Sequence, residues 1–216
     1  HHPPLREGPA LMFKQVLYAI RVLDLAPGWS AYTGRLLGDL GAEVIKIEPP
    51  TGDPLRGTAD FERLNANKYG CTLDISTADG FAKLQRLAEI ADIVIAPPGM
   101  VDLDALMAAK GSLIAVSLPA DAGAEQTIAA AAGVGVALWD RRRTGEGSRI
   151  EVAAPKGKQR RLSSGVAAVR EPVSTLGGGV ELESSPWHLS ESPTHVRLQA
   201  PALGEHNEYV FGVLLS

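Results

Sequence analysis

A strand, a polar loop and an arginine follow one another in residues 44–56, the order in which α/β folds place a ligand. Val44, Ile45 and Ile47 supply a β-branched run that predicts a strand, and Pro49-Pro50 prevent its continuation. The loop that follows ends at Arg56, whose guanidinium is suited to bind phosphate or carboxylate groups. Because ligands of open α/β sheets lie beyond the carboxyl ends of the strands, this loop is the first candidate site.

Other chemistries have no matching pattern in the sequence. The first strand is followed by Ala26-Pro-Gly-Trp29 in place of a Gly-x-Gly-x-x-Gly fingerprint, which argues against a dinucleotide site. The sequence contains no Walker motif, no paired Cys and His spacing for a metal, and no Gly-x-Ser-x-Gly nucleophile elbow. Loop or surface roles are favoured over catalysis for the histidines, which are His1, His2, His188, His195 and His206.

Composition and charge indicate an ordinary water-soluble domain. The 216 residues are 45% hydrophobic, enough for one good core, and the formal net charge of −4 gives no electrostatic case for nucleic acid. The single cysteine, Cys71, excludes an intrachain disulfide, fits a reducing compartment and is expected to be a small buried apolar residue. No apolar run approaches the ~20 residues of a membrane span. We therefore expect a cytoplasmic protein without membrane or nucleic-acid partners.

Strands and helices alternate at short spacing from residue 20 to residue 152. This alternation predicts an α/β fold with a doubly wound, mostly parallel, Rossmann-like sheet, whose C-terminal irregular tail returns to it. Gly41 is expected to end a helix in the left-handed conformation. The predicted strands are residues 20–25, 43–48, 92–96, 113–117 and 149–152, with a short extended piece at 72–75. The predicted helices are residues 30–40, a segment that begins after Thr77, 103–109 and 125–143, which ends near Gly145.

Several residues have ordinary structural interpretations. Ser30 and Thr77 are expected to cap helix N-termini, and Asp39 and Glu43 to be solvated on either side of a turn. The run from Arg141 to Arg143 suits the negative end of a helix dipole. The three tryptophans, Trp29, Trp139 and Trp187, are expected to be packing residues.

The chain divides into four predicted segments. Residues 1–19 are an N-terminal extension or tag remnant, and residues 20–153 form the α/β domain. The basic, Pro-, Gly- and Ser-containing residues 154–170 form a linker, for which solvation is favoured over binding of a polyanion. Residues 171–216 form a tail that is expected to pack on the α/β domain.

Two blocks of the sequence resemble the class III CoA-transferases, which include formyl-CoA transferase, carnitine CoA-transferase and α-methylacyl-CoA racemase. The first block runs from residue 20 to about residue 150. It contains Arg21-Val-Leu-Asp-Leu25, Leu36-Leu-Gly-Asp-Leu-Gly-Ala-Glu-Val-Ile-Lys46, Gly52-Asp-Pro-Leu-Arg56 and Leu64-Asn-Ala-Asn-Lys68. The second block contains Ser185-Pro-Trp-His-Leu-Ser-Glu-Ser-Pro193 and Ala200-Pro-Ala-Leu-Gly-Glu-His-Asn-Glu-Tyr209.

The resemblance implies transfer of coenzyme A between an acyl-CoA thioester and a small carboxylic acid through an aspartyl nucleophile and a mixed anhydride, or the related racemisation of a 2-methylacyl-CoA. It implies CoA as a substrate, no metal, and either a homodimer or a hetero-oligomer with a family member. Arg56 and Lys68 are the cations placed to meet phosphates. The other residues implied to contact CoA are Leu73, Asp74, Ile75, Ser76, Ala96 and Pro97, with Pro49, Pro50, Pro119 and Ala120 beside them.

The chain also departs from the family pattern. Ala96-Pro-Pro-Gly99 replaces the usual Glu-Asn-Phe-Arg-Pro-Gly, and a gapless alignment places Gly123 at the catalytic aspartate. Asp121, two residues away, is the candidate nucleophile, and a solvated residue at a helix start is its alternative role. Residues 154–165 stand where the family has a small domain. A non-catalytic subunit that binds acyl-CoA or completes a partner is the alternative function, and an ordinary nucleotide-binding domain is a third.

Overall fold

A computed structural model describes residues 15–153 and, in the C-terminal tail, residues 189, 190, 192, 194 and 196–216. Several sequence-based predictions fall outside these described residues. They are the linker at 154–170, the start of the tail, most of the N-terminal extension, and the roles of Trp187, His1, His2, His188 and His195.

Six parallel strands form one sheet in the described part of the chain. They are β1 (Arg21–Asp24), β2 (Glu43–Glu48), β3 (Lys68–Thr72), β4 (Ile93–Ala96), β5 (Ile114–Ser117) and β6 (Arg149–Glu151). Their spatial order is β3-β2-β1-β4-β5-β6. The direction of strand addition reverses between β1 and β4, as in a doubly wound sheet. The predicted α/β fold class is therefore confirmed.

Helices cover both faces of this sheet because the strands alternate their apolar side chains between the faces. The helices are α1 (Tyr32–Asp39), α2 (Ala59–Asn65), α3 (Ala78–Ile90), α4 (Leu103–Ala109) and α5 (Ala124–Thr144). Val22, Val44 and Ile93 pack with α1 and α5, whereas Leu23 and Ile45 pack with α3 and α4 on the opposite face. All four residues of β5 are buried, as its unbroken apolar sequence predicts.

The ends of the helices agree only in part with the predictions. The Thr77 side chain accepts a hydrogen bond from the Gly80 amide, and Gly145 ends α5 in the left-handed conformation. Gly41 follows α1 with a φ of 102°. The cap predicted at Ser30 is wrong, since Ser30 lies within a 3₁₀ turn, Gly28–Ala31, and its hydroxyl donates to the Pro119 carbonyl at 2.6 Å.

Two elements were misplaced or missed. The extended segment expected at 72–75 lies earlier in the chain, as β3, because parallel pairing with β2 overrides the low strand propensity of Lys68 and Gly70. Helix α2 was not predicted. It spans seven residues and is preceded by its N-cap, Thr58, whose side chain accepts from the Phe61 amide.

The expected solvation of Asp39 and Glu43 and the expected packing role of two tryptophans are also corrected. The Asp39 carboxylate is buried and accepts from Arg35 at 2.6 Å, while Glu43 pairs with Arg21 at 2.7 Å. These contacts attach the turn at Gly41 to neighbouring elements. Trp29 and Trp139 are exposed, so neither indole is a core residue. Cys71, in contrast, is buried in β3 as expected.

The described part of the tail lies against β3, an edge strand of the sheet. The Gly70 amide donates to His206 Nδ1 at 3.1 Å, and the His206 amide donates to the Gly70 carbonyl at 2.9 Å. The Thr72 amide donates to Asn207 Oδ1 at 2.8 Å. Further back in the tail, Leu198 pairs with Asn67 just before β3 begins. Side chains and backbone of the tail thus form hydrogen bonds with backbone groups on the outer edge of this strand.

Candidate functional site

The carboxyl edge of the sheet holds a crevice at the point where strand order reverses. β1 continues into α1 on one face, whereas β4 continues into α4 on the other, so the loops after these neighbouring strands diverge. Gly28 and Gly99, in these two loops, have positive φ angles and open space where a Cβ would be. Backbone without side chains at such a rim permits the close approach of a ligand.

Two large apolar side chains stand exposed in the same pair of loops. Trp29, in the loop after β1, is 44% exposed, and Met100, after β4, is 42% exposed. Both residues border the point where the strand order reverses. A ligand that lay along this edge could cover apolar surface that is otherwise in water.

Three ion pairs lie beneath the edge formed by β1, β2 and β3. Lys68 Nζ lies 2.7 Å from Asp24 Oδ2, and both side chains are fully buried. The other two join Lys46 to Asp53 at 2.9 Å and Arg56 to Glu48 at 2.5 Å. Each of these cations therefore has its own carboxylate, which for buried Lys46 and Lys68 offsets the cost of removing the charge from water.

Lys68 does not occupy the position expected of a phosphate ligand. Burial lowers its pKa to about 8, against the opposing effect of Asp24. Its ammonium also donates to the Ala31 carbonyl at 2.6 Å and to Asn65 Oδ1 at 2.9 Å. Since Asp24, Ala31 and Asn65 engage the ammonium inside the protein, the phosphate role expected for Lys68 does not fit its position. The structure gives it a role in holding the loop after β1.

Arg56 is partly exposed, but its guanidinium is engaged. It donates to both carboxylate oxygens of Glu48 and to the Pro201 carbonyl of the tail, and it lies 4.3 Å from the centre of the Phe61 ring. Glu48 stands at the end of β2, near where dinucleotide-binding sheets present an acid to a ribose. Because Arg56 and the Asp53 amide occupy its carboxylate, Glu48 is not offered to such a ligand.

The loop after β1 is fixed to the loops after β2 and β5. On one side, Lys46 Nζ donates to the Ala26 carbonyl at 2.5 Å, and the Gly28 amide donates to Asp53 Oδ2 at 3.0 Å. On the other side, the Ser30 hydroxyl donates to the Pro119 carbonyl and accepts from the Ala122 amide at 3.2 Å. The crevice is thus bordered by a loop whose backbone is held from both directions.

Asp53 is the carboxylate at the centre of these contacts. It accepts from Lys46, from the Gly28 amide and, through Oδ1, from the Leu55 amide at 2.9 Å. Burial alone would raise the pKa of Asp53, but the Lys46 charge and these hydrogen bonds outweigh burial and hold that pKa below its usual value. Asp53 is therefore ionised at neutral pH.

The remaining predicted contact residues follow β3 and β4. Ala96 and Pro97 are buried at the end of β4, and Leu73 is buried after β3. Asp74 and Ser76 are exposed, and Asp74 Oδ1 accepts from both the amide and the hydroxyl of Ser76. Ile75, between them, is half-buried. With strands ~4.8 Å apart, β3 and β4 are separated by about 14 Å, so only an elongated ligand could touch both groups.

Asp121 is exposed in the loop between β5 and α5. It lies between Pro119 and Ala122, the residues that Ser30 joins to the loop after β1. The loops that carry Asp121 and Pro97 leave neighbouring strands at the same edge, since Ala96 pairs with Ser117. The topology therefore places Asp121 at the same edge of the sheet as the crevice, on the side opposite Arg56 and the loop after β3.

Sequence reasoning missed the buried ion pair of Lys46 and Asp53. One signal was available, because Lys46 interrupts the β-branched run of β2, and a lysine within a buried strand requires a partner. The identity of that partner could not be read from spacing alone. Asp53 reaches Lys46 only because the loop after β2 turns back over the strand end at Gly52, which has a φ of 78°.

Metal-ligand clusters and membrane-spanning helices are both absent from the described part of the chain. Within residues 15–153 and the described tail, no three His, Cys, Asp or Glu side chains are grouped as a metal site requires. In the same residues, none of the helices combines the length and the apolar character needed to cross a bilayer.

Part of the chain is similar to proteins of one known family. Residues 17–106 match the model of CoA-transferase family III. A succinyl-CoA–D-citramalate CoA-transferase from Chloroflexus aurantiacus is 39% identical in an alignment that covers 35% of this chain and 22% of the relative. A formyl-CoA:oxalate CoA-transferase from Streptomyces avermitilis is 37% identical, with 41% of this chain and 24% of the relative aligned. The chain thus matches about a quarter of the length of these relatives.

Solved structures show the same likeness. The crystal structure of Rv3272 from Mycobacterium tuberculosis superposes with a TM-score of 0.60 at 25% identity, over 65% of this chain and 54% of that chain. A CAIB/BAIF family protein from Brucella suis gives a TM-score of 0.58 at 25% identity, over 63% of this chain and 52% of that chain.

Proposed function

Because residues 17–106 match the model of CoA-transferase family III, we propose that the protein belongs to this family, binds an acyl-CoA at the crevice and transfers CoA to a carboxylic acid. The family match is the observation that carries this proposal. Both relatives described above are named as CoA-transferases, which favours transfer over racemisation and over a non-catalytic binding role. A CoA thioester and a small carboxylic acid are accordingly the proposed partners.

The shape of the site supports an elongated thioester ligand. The predicted contact residues extend from Asp74 after β3 to Pro97 after β4, and the crevice between β1 and β4 opens beside Trp29. Arg56 and Lys68 are engaged within the protein, so we assign phosphate binding to backbone amides instead. Helix α5 begins at this edge, and its N-cap residue, Gly123, has no side chain that caps the helix, so the first amides of α5 can face an anion.

We assign Asp121 the role of nucleophile. Its carboxylate attacks the carbonyl carbon of the thioester, the C–S bond breaks, and CoA leaves as the thiolate while a mixed anhydride forms on Asp121. The thiolate then attacks the Asp121 carbonyl of the anhydride, which releases the donor acid and leaves an aspartyl-CoA thioester. The acceptor carboxylate attacks this thioester and forms a second anhydride, and the released thiolate attacks the acceptor carbonyl, which yields the new acyl-CoA and restores Asp121. The exposed position of Asp121, in a loop at the same edge of the sheet as the crevice, suits attack on a bound thioester.

The test measures exchange of CoA from succinyl-CoA to an added carboxylic acid. Asp121→Asn should lower the exchange rate by about a thousandfold, because it removes the nucleophile. Glu125→Gln is the matched control, since Glu125 is an exposed acid four residues along the chain in the first turn of α5, and it should retain the wild-type rate within about threefold.

Hydroxylamine gives an independent readout. Incubation with succinyl-CoA and hydroxylamine should convert the anhydride into a hydroxamate at Asp121, detected by mass spectrometry of the peptide. Equal rates for the wild type and Asp121→Asn, or a hydroxamate on Glu125, would contradict the assignment of the nucleophile. Binding of CoA by calorimetry without any exchange by the wild type would contradict transfer and leave only the binding role.

A further inference from the structure

The ion pair between Lys46 and Asp53 is connected to the backbone of the loop that borders the crevice. Lys46 binds the carbonyl of Ala26, and Asp53 binds the amide of Gly28, two residues further on. Both side chains of the pair are almost completely buried. The pair thus reaches from β2 to the loop after β1, immediately before exposed Trp29.

We propose that Lys46 and Asp53 are positioning residues for the ligand at this crevice. They fix the backbone from Ala26 to Gly28 and thereby the place of Trp29, without contacting the ligand themselves. This inference rests on the proposed function, because it names CoA as the ligand whose affinity depends on the loop. It also makes a claim about the order of the loop that holds without any ligand.

Asp53 is the residue on which the arrangement depends most. Its Oδ2 accepts from both Lys46 and Gly28, and its Oδ1 accepts from Leu55 in its own loop. One carboxylate therefore ties together strand β2, the loop after β2 and the loop after β1. An asparagine has the same shape but one acceptor oxygen fewer, so it must abandon either Leu55 or the pair formed by Lys46 and Gly28.

The conformation of Gly28 explains why the loop needs this support. Its φ is 55°, its amide donates to Asp53, and nothing lies within 4 Å of the position that a Cβ would take. The outer side of Gly28 therefore has no packing to hold it, and the inward hydrogen bond to Asp53 supplies the restraint. Ser30 holds the following turn through Pro119, so Trp29 lies between two fixed points.

Asp39 offers a matched control. It is also a buried aspartate in an ion pair, and its Oδ1 accepts from Arg35 at 2.6 Å and from Asn67 at 2.7 Å. Its hydrogen-bond partners belong to α1 and to the turn before β3, away from Ala26 and Gly28. Asp39→Asn should therefore destabilise the fold without loosening the loop that carries Trp29.

The experiment compares Asp53→Asn with Asp39→Asn in a Trp139→Phe, Trp187→Phe background, where Trp29 is the remaining tryptophan. Thermal unfolding records the stability of each protein. Acrylamide quenching of Trp29 reports the order of the loop, and calorimetry gives the Kd for CoA. Loss of a hydrogen bond to a charged acceptor should raise that Kd by about tenfold in Asp53→Asn. Quenching of Trp29 should also increase in this variant.

Asp39→Asn should leave the quenching of Trp29 and the Kd for CoA at the background values even where its Tm falls as far. If both variants changed quenching and Kd in proportion to their loss of Tm, the positioning role would be refuted. If the wild type failed to bind CoA, the proposed function would fail, while the quenching comparison would still decide whether Asp53 orders the loop.

Hydrogen exchange of the unmodified protein covers the case in which Asp53→Asn does not fold. The Gly28 amide should exchange at least about tenfold more slowly than the amide of exposed Gly57, because its donor is held by Asp53. Equal exchange rates at these two glycines would overturn the inference without any variant.

Discussion

Alanine at Gly34 should damage the protein although it improves the intrinsic preference of helix α1. Gly34 is buried in that helix, and a Cβ built on it would lie 2.4 Å from Asp24 Oδ2 and 3.3 Å from Lys68 Cε. Asp24 has little freedom to move, since its carboxylate also accepts from the Ala26 amide at 3.0 Å. A methyl group at this position must displace the most deeply buried ion pair of the domain.

The expected magnitude follows from three opposing contributions. Replacing glycine by alanine within a helix favours folding by about 1 kcal/mol. Overpacking costs about 1–3 kcal/mol, and breaking a buried ion pair costs about 3–5 kcal/mol when one partner loses its contact. Partial displacement of Asp24 from Lys68 should therefore lower the free energy of unfolding by about 2–4 kcal/mol in Gly34→Ala.

Urea denaturation followed by circular dichroism measures this change. Gly135→Ala in α5 is the matched control, because a Cβ there meets nothing within 4 Å, and it should raise the free energy of unfolding by about 0.5–1 kcal/mol. A Gly34→Ala protein as stable as the wild type, beside a stabilised Gly135→Ala, would show that the helix does not press on the Asp24–Lys68 pair.

Three further predictions concern buried ionisable groups. Lys68→Met should cost about 3–5 kcal/mol in urea denaturation because it leaves a buried carboxylate unpaired, whereas the exposed Lys83→Met should cost less than about 1 kcal/mol. The depressed pKa of Asp53 means that its contribution to stability is present above its unfolded pKa of ~4 and is lost as pH falls through the folded value. The Tm should therefore fall on acidification below pH ~4, and less steeply in Asp53→Asn. Burial raises the pKa of Cys71 to about 12, so a thiol reagent should modify it only as fast as the protein unfolds; rapid modification of the folded protein would contradict its burial.

The sheet could be predicted from the sequence to a large extent because its strands are short apolar runs bounded by glycine and proline. Residues 43–48 and 103–109 were predicted with the bounds that β2 and α4 have in the structure. β3 was harder, since a strand that contains Lys68 and Gly70 has no apolar run to reveal it. Its pairing with β2 and the tail that covers it are tertiary facts, which local propensity does not encode.

The location of the candidate site could be predicted from the sequence, but the contacts of its charged residues could not. Placing Arg56 after β2 and Asp121 after β5 required only the rule that loops at carboxyl ends meet at one edge. Predicting that Arg56 binds Glu48 and that Lys68 binds Asp24 would have required the three-dimensional positions of all four residues. The sequence alone does not distinguish a cationic side chain that contacts a ligand from one that forms an internal ion pair.

The covering of β3 by the tail has a consequence for the order in which the protein assembles. His206 and Asn207 satisfy amides that precede them by about 135 residues in sequence. Contacts between such distant positions form late and slowly, because a long loop must close first. Until residues 206 and 207 have been synthesised and docked, the outer amides of β3 remain available to a strand of another chain. Nascent or truncated molecules should therefore associate through this edge, and a chaperone that shields it would raise the yield of folded protein.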